Sequence, residues 1–305
     1  MAKRLMSMNP SEIRKLNSKK LLEAIRLSEG RILASETVCS ASPLLTSISN
    51  AELASSMSAD ILILNVYDVD KPEIKGLPAC KPNDSIRTLK NLTGRVIGIN
   101  LEPAEENTGD DELWKMSKGR KATAINAVKA KKQGADIIVI TGNPGNHVSN
   151  EAITKAIKEI RKALGKDIIL ITGKMHGSGV LRQAGENIIS KDDIDQFIDA
   201  GADIILLPAP GTIPGISQQK VHELISYIHS KNKLAMTSIG TSQEGSDTDT
   251  IKTIALNCKM AGADIHHIGD SGYLGIALPE NIMTYSITIR GVRHTYYSMA
   301  KSVNR

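Results

Sequence analysis

The chain has 305 residues, 41% of them hydrophobic and 23% charged, which is long enough and apolar enough to bury a large core. Its formal charge of +5 comes from Lys and Arg spread along the chain, and the densest group, Lys129, Lys131 and Lys132, reads as the solvated face of one helix. Aromatic residues make up only 3%, so the stacking platforms of single-strand nucleic-acid binders and polysaccharide enzymes are set aside; neither a nucleic acid nor a membrane is expected as partner.

The three cysteines, Cys39, Cys80 and Cys258, are widely spaced and form no CxxC or zinc-finger pattern, so a reduced cytoplasmic setting is expected. No apolar stretch reaches the length of a membrane span, and the start of the chain is too polar for a signal-peptide core.

Taken in chain order, the first element is an amphipathic helix over Ser11–Ser28, with Ile13, Leu16, Leu21, Leu22, Ile25 and Leu27 on one face. Eight short β-branched runs then alternate with helix-length segments: Arg31–Ser35, Asp60–Leu64, Arg95–Leu101, Asp136–Ile140, Asp167–Thr172, Asp203–Leu207, Lys233–Ser238 and Asp264–Ile268. The even runs share an Ala-Asp-Ile opening at Ala59, Ala135, Ala202 and Ala263. The odd runs open on Gly30-Arg31, Gly94-Arg95, Gly165-Lys166 and Asn232-Lys233. Pairs of strands recurring four times predict a closed (β/α)8 barrel, a TIM barrel of the α/β class, rather than an open doubly wound sheet. The whole of residues 1–305 is expected to form one domain, with residues 1–29 as an extra helical segment plugging the amino-terminal floor. Ser149, Ser190 and Ser217 suit helix N-caps, and Pro279 suits a first helical turn.

Stacking the runs gives successive inward layers. Ile32, Val96, Ile168 and Leu234 lie lowest on the odd strands, then Ala34, Gly98, Leu170 and Met236, then Glu36, Asn100, Thr172 and Ser238. On the even strands Ile61, Ile137, Ile204 and Ile265 lie below Ile63, Val139, Leu206 and His267, with Asn65, Thr141, Pro208 and Gly269 above. Polarity thus begins at the carboxyl end of the barrel, where enzymes of this architecture keep their chemistry. Glu102 and Lys174 extend the rim, so Glu36, Glu102, Lys174 and His267 are expected as catalytic groups around one cavity, where carboxylate, ammonium and imidazole tune one another for acid/base work. Each has a plainer reading: Glu102 and Lys174 as a rim salt bridge, His267 as a hydrogen-bonded core histidine. Glu36 and Glu102 are also the pair that would hold Mg²⁺, with Asp68 or Asp70 from the second loop.

The loops after the seventh and eighth runs, Gly240, Thr241 and Ser242, and Gly269, Asp270, Ser271 and Gly272, offer glycine and hydroxyl groups of the kind that grip phosphate. Asn65, Asn100, Thr141, Asn143, Thr172, His176 and Ser238 complete the expected binding set. The sixth run lacks the Schiff-base lysine of barrel aldolases, and the first run lacks the HxH of amidohydrolases.

Several longer phrases carry a resemblance. Gly94-Arg95 through Asn100-Leu101-Glu102-Pro103, Thr141-Gly142-Asn143-Pro144-Gly145, Gly173-Lys174-Met175-His176-Gly177, Leu207-Pro208-Ala209-Pro210-Gly211-Thr212, Ile239-Gly240-Thr241-Ser242-Gln243-Glu244-Gly245 and His266-His267-Ile268-Gly269-Asp270 together resemble a bacterial family of unknown function. Its members look like TIM barrels, are associated with sugar phosphotransferase operons, and are sometimes labelled phosphoenolpyruvate phosphonomutase or haloacid dehalogenase-like. The motifs of those two labels are absent here; Asp68-Val69-Asp70-Lys71-Pro72 is a poor echo of the phosphonomutase loop. The operon association implies a phosphorylated sugar or sugar acid as substrate. The expected function is therefore an isomerase or lyase of carbohydrate metabolism, epimerase- or aldolase-like. The rivals are a non-catalytic phosphometabolite-binding regulator and a metal-dependent hydrolase. Exposed barrel helices often pack against a second copy, so a homo-oligomer is compatible with the chain.

Overall fold

A computed structural model describes residues 3–103, 116–141, 148–175 and 185–305. Helices α1 (Pro10–Ile13) and α2 (Ser18–Arg26) come first, then β1 (Ile32–Val38), α3 (Asn50–Ser56), β2 (Ile61–Asn65), α4 (Ser85–Thr93), β3 (Val96–Leu101), α5 (Ala124–Gln133) and β4 (Ile137–Ile140). The second half runs α6 (Asn150–Leu164), β5 (Ile169–Gly173), α7 (Lys191–Ala200), β6 (Ile204–Pro208), α8 (Gln218–Ser230), β7 (Leu234–Ile239), α9 (Thr248–Ala261), β8 (Ile265–Ile268) and α10 (Pro279–Ala300). The strands pair in parallel from β1 round to β8 and back to β1, a closed (β/α)8 barrel.

Helix ends follow their local chemistry. The hydroxyls of Ser149, Ser190 and Ser217 accept amide hydrogens three residues on, and Pro279 opens α10. The continuous first helix expected over Ser11–Ser28 is instead two, because Asn17 turns its side chain back to cap α2 through the Lys20 amide.

The Ala-Asp-Ile openings are fourfold clamps. Asp60, Asp136, Asp203 and Asp264 each accept, through Oδ2, the backbone amide of Leu33, Ile97, Leu170 or Ala235 on the preceding strand, at 2.8 to 3.1 Å. Each Asp also meets a cation or imidazole: Arg290 at 2.6 Å, Lys90 at 2.7 Å, Arg161 at 2.6 Å and His229 at 2.8 Å. Gly134, Gly201 and Gly262 precede three of the motifs with positive φ, and Ser58 takes that backbone at the first, with φ 85. Its hydroxyl donates to the Thr295 carbonyl and accepts from Arg290.

Two apolar shells result. The inner holds Ile32, Ala34, Ile61, Ile63, Val96, Ile137, Val139, Ile204, Leu206, Met236 and Ile265, closed from below by Leu5, Met6, Met8, Leu21, Ala24 and Ile25. The outer shell lies between strands and helices. The expected layers are met on every strand but β5. There Ile169 and Ile171 point inward, while Ile168 and Leu170 belong to the outer shell. The cause is the turn after α6, where the Asp167 amide donates back to Leu164 and delays the strand by a residue. An all-apolar run buried on both faces carries no alternation from which to read register.

Candidate active site

The slip in β5 reorganises the mouth. Thr172, expected inside, lies on the outer side of its strand and donates to the Ile140 carbonyl at 3.1 Å. Gly173 follows, at a point where a Cβ would lie 1.9 Å from the Leu206 carbonyl oxygen. Lys174 is thereby carried away from the expected ring: among the described residues, the charges acting on it include Asp193 and Glu151, near the starts of α7 and α6. Burial holds its ammonium below the usual lysine range. Met175 lies over the mouth instead, its sulfur 3.8 Å from Ser238 Oγ and against Gly240, where a Cβ would clash at 2.4 Å.

The other inward groups do meet. Ser238 and His267 are register partners on β7 and β8, and Ser238 Oγ lies 2.7 Å from His267 Nδ1. His267 Nε2 lies 3.3 Å from Glu36 Oε2, on β1. An imidazole with its proton on Nε2 donates to Glu36 and leaves Nδ1 to accept from the Ser238 hydroxyl. All three side chains are buried, with Ala34, Ile63 and Met236 in the hydrocarbon beneath them.

A second chain of hydrogen bonds crosses the same mouth. Asn100 Nδ2 donates to Asn65 Oδ1 at 3.3 Å, and Asn65 Nδ2 donates to Asp270 Oδ2 at 2.8 Å. Asp270 is raised from 3.8 to about 7, by burial first and then by the nearby charge of Glu36; the Asn65 and Gly272 hydrogen bonds oppose this without cancelling it. Glu244 joins these carboxylates and is likewise raised, chiefly by burial. Its Oε2, with Asn100 Oδ1 and Ser271 Oγ, is buried without a hydrogen-bond partner among the described residues. Val66, directly after Asn65, holds φ 59, a costly backbone for a β-branched residue and one often found beside working sites.

Glu102 is engaged elsewhere. Its Oε1 accepts from Arg120 at 2.8 Å in a buried ion pair, and its backbone bridges to the segment Arg120–Ala122. The rim salt bridge foreseen for Glu102 therefore involves Arg120, a residue that strand periodicity does not reach. Among the described residues, no three His, Cys, Asp or Glu side chains are placed to hold a metal ion, so the Glu36 and Glu102 pair gains no third ligand.

The expected phosphate loops are occupied by the chain's own acids. Glu244 Oε1 accepts from the Ser271 amide at 3.2 Å, and Asp270 Oδ1 accepts from the Gly272 amide at 2.9 Å. The Gly269 amide serves the Ile239 carbonyl, and the Thr241 hydroxyl donates to the Thr212 carbonyl at 2.6 Å. Ser242 takes a left-handed backbone that turns Glu244 into the mouth. Thr141 is buried at the end of β4, and Asn143 and His176 lie outside the described residues.

Comparison with known proteins fixes the family. The chain belongs to the family described as Domain of unknown function (DUF7916), whose profile matches residues 6–305. No protein of curated function matches it. Among solved structures, Rhizobium etli pyruvate carboxylase with the allosteric activator acetyl coenzyme A superposes with a TM-score of 0.55 at 14% identity, over 95% of this chain and 30% of that one. The carboxyl transferase domain of the same enzyme with pyruvate gives 0.55 at 13% identity, over 96% and 53%. The chain thus spans about a third of the length of the first and about half of the second. A 2,3-dimethylmalate lyase of the PEP mutase/isocitrate lyase superfamily gives 0.51 at 12% identity, over 82% and 80%. At such identities the likeness is one of fold, which hosts many chemistries.

Proposed function

We propose that the protein is an enzyme of the isomerase or lyase type, moving a proton on a small hydroxylated carbonyl compound such as a sugar or sugar acid at the carboxyl-terminal mouth of its barrel. One observation carries this reading: the Ser238–His267–Glu36 chain stands beside Asp270, a buried carboxyl that ionises near 7. A carboxylate and a half-protonated acid in one hydrocarbon-floored cavity are the two partners that proton abstraction and return require. Glu36 serves as base, steadied by His267 through Oε2, with its other oxygen making no hydrogen bond among the described residues. Asp270 in its protonated form supplies the acid. Asn65 and Asn100 orient substrate hydroxyls, Asn100 Oδ1 being buried and unpaired among the described residues. A phosphate on the substrate would sit away from Ser271 and Gly272, whose amides already serve Glu244 and Asp270.

The test is solvent isotope exchange. Incubated in D₂O with a panel of small sugars, sugar acids and their phosphate esters, the protein is expected to wash out a carbon-bound proton of one class, followed by proton NMR. Glu36→Gln and His267→Ala should each slow the exchange by roughly 10²–10⁴-fold, whereas Lys174→Met should leave it nearly intact. Saturable binding at the mouth with no exchange in any member would favour the regulator over the enzyme; an undiminished rate in Glu36→Gln would remove the assigned base.

A further inference from the structure

The opposite end of the barrel has charged chemistry of its own. Each odd strand is preceded by a cation: Arg31, Arg95, Lys166 and Lys233. The chain covers the first two itself. Arg31 Nε donates to the Ser28 carbonyl at 2.9 Å and its guanidinium also pairs with Glu29. Arg95 is buried, donating to Ser55 Oγ at 3.1 Å and to the Ser298 carbonyl at 2.8 Å. Lys166 and Lys233 instead line a cavity of about 510 Å³ between α2 and the starts of β6 and β7.

The remaining walls are Lys19, Glu23 and Arg26 of α2, together with Asp203, Leu22 and Leu234. Four cations face two carboxylates, and Asp203 is shared between Arg161 at 2.6 Å and Lys166 at 3.1 Å, the latter's side chain remaining 68% exposed. Lys19 and Arg26 make no hydrogen bond or ion pair among the described residues, while Lys233 has only the Ala202 carbonyl, at 2.7 Å. In a neighbouring hollow lined by Arg14, Arg87, Lys90 and Arg95 every cation already has a partner: Arg87 pairs with Asp84 at 2.9 Å, Lys90 with Asp136 at 2.7 Å, Arg14 donates to two carbonyls, and Arg95 donates to Ser55 and Ser298.

We propose that this floor cavity binds a phosphate monoester with an apolar body, its dianionic head among Lys19, Arg26, Lys166 and Lys233 and its body on Leu22 and Leu234. The excess of two positive charges matches a dianion, and the two leucines give the rest of the ligand a surface to bury. Burial, with the charges of Lys166 and Arg161, holds the Lys233 ammonium below its usual range, a strain that a bound dianion relieves. Because α2 forms one wall and also closes the inner shell, such a ligand ties the amino-terminal plug to β6 and β7. The site is independent of the chemistry at the mouth.

Calorimetric titration of the full chain tests it, with phenyl phosphate as probe, inorganic phosphate as head alone and benzyl alcohol as body alone. Saturable one-to-one binding of phenyl phosphate is expected, weaker for inorganic phosphate and absent for benzyl alcohol. The double variant Lys19→Ala/Arg26→Ala, at exposed positions whose side chains make no hydrogen bond or ion pair among the described residues, should weaken it about tenfold. Lys233→Met should weaken it too, Glu23→Gln should tighten it, and His267→Ala should leave it unchanged. No saturable binding at millimolar probe, full affinity in the double variant, or loss in His267→Ala would each overturn the assignment.

Discussion

Asp270 shows how one side chain can be set by its neighbours against its own hydrogen bonds. Two donors favour its charged form, yet burial and the adjacent Glu36 and Glu244 prevail and raise it from 3.8 to about 7. A carboxyl raised on folding stabilises the protein at acid pH, and that contribution is lost as pH climbs from about 4 through about 7. Chemical denaturation across this window should show wild type losing a few kcal/mol of stability relative to Asp270→Asn as pH rises, on the order expected for such a displacement; the opposite contribution of buried His266, lowered to about 4, is common to both and drops out of the difference. Any turnover that uses Asp270 as acid should decline as pH rises through about 7. Glu36, Asn65, Asn100, Ser238 and His267 were legible in the sequence because each sits on a strand, where alternation and a shared starting phrase predict direction. Glu244 and Arg120 were not, since Glu244 reaches the mouth through a left-handed turn at Ser242 and Arg120 reaches Glu102 through a loop bridge, geometry to which no periodicity points.

Among the elements, β5 is where strand reading fails, and it fails because Ile169–Ile171 is apolar on both faces. One residue of delay exchanges every inward and outward side chain, removing Thr172 and Lys174 from the expected ring and bringing Met175 over it. The Ala-Asp-Ile openings, by contrast, are visible as a repeat, and their purpose emerges only from the amide each Asp accepts. The clamps differ in depth. Arg290 and Asp60 are nearly wholly buried, at 1% and 5% side-chain exposure, so Arg290→Met strands a carboxylate and should cost about 3–5 kcal/mol in urea unfolding. His229 at the equivalent place is 42% exposed, and His229→Ala should cost no more than about 1 kcal/mol. Equal losses at the two clamps would contradict this ranking. Ser58 bears the positive φ that glycine carries in the other three quarters, and its bonds to Arg290 and Thr295 explain why a hydroxyl stands there.

For the molecule as a whole, the closed ring and its apolar floor were legible from four recurring strand pairs and one amphipathic start. The uneven distribution of charge was not, because it depends on which cations the chain covers with its own carbonyls. The Asp clamps have a mechanical corollary. They join β1 to β2, β3 to β4, β5 to β6 and β7 to β8, so the ring is four stapled doublets whose alternate seams carry no such aspartate clamp. Amide exchange should therefore breathe first along the unstapled seams, with slower exchange at Leu33, Ile97, Leu170 and Ala235. The contact between Glu36 and His267 straddles one such seam, β8 with β1, whereas Ser238 and His267 share a doublet. Whenever that seam parts, the imidazole keeps its serine and loses its carboxylate.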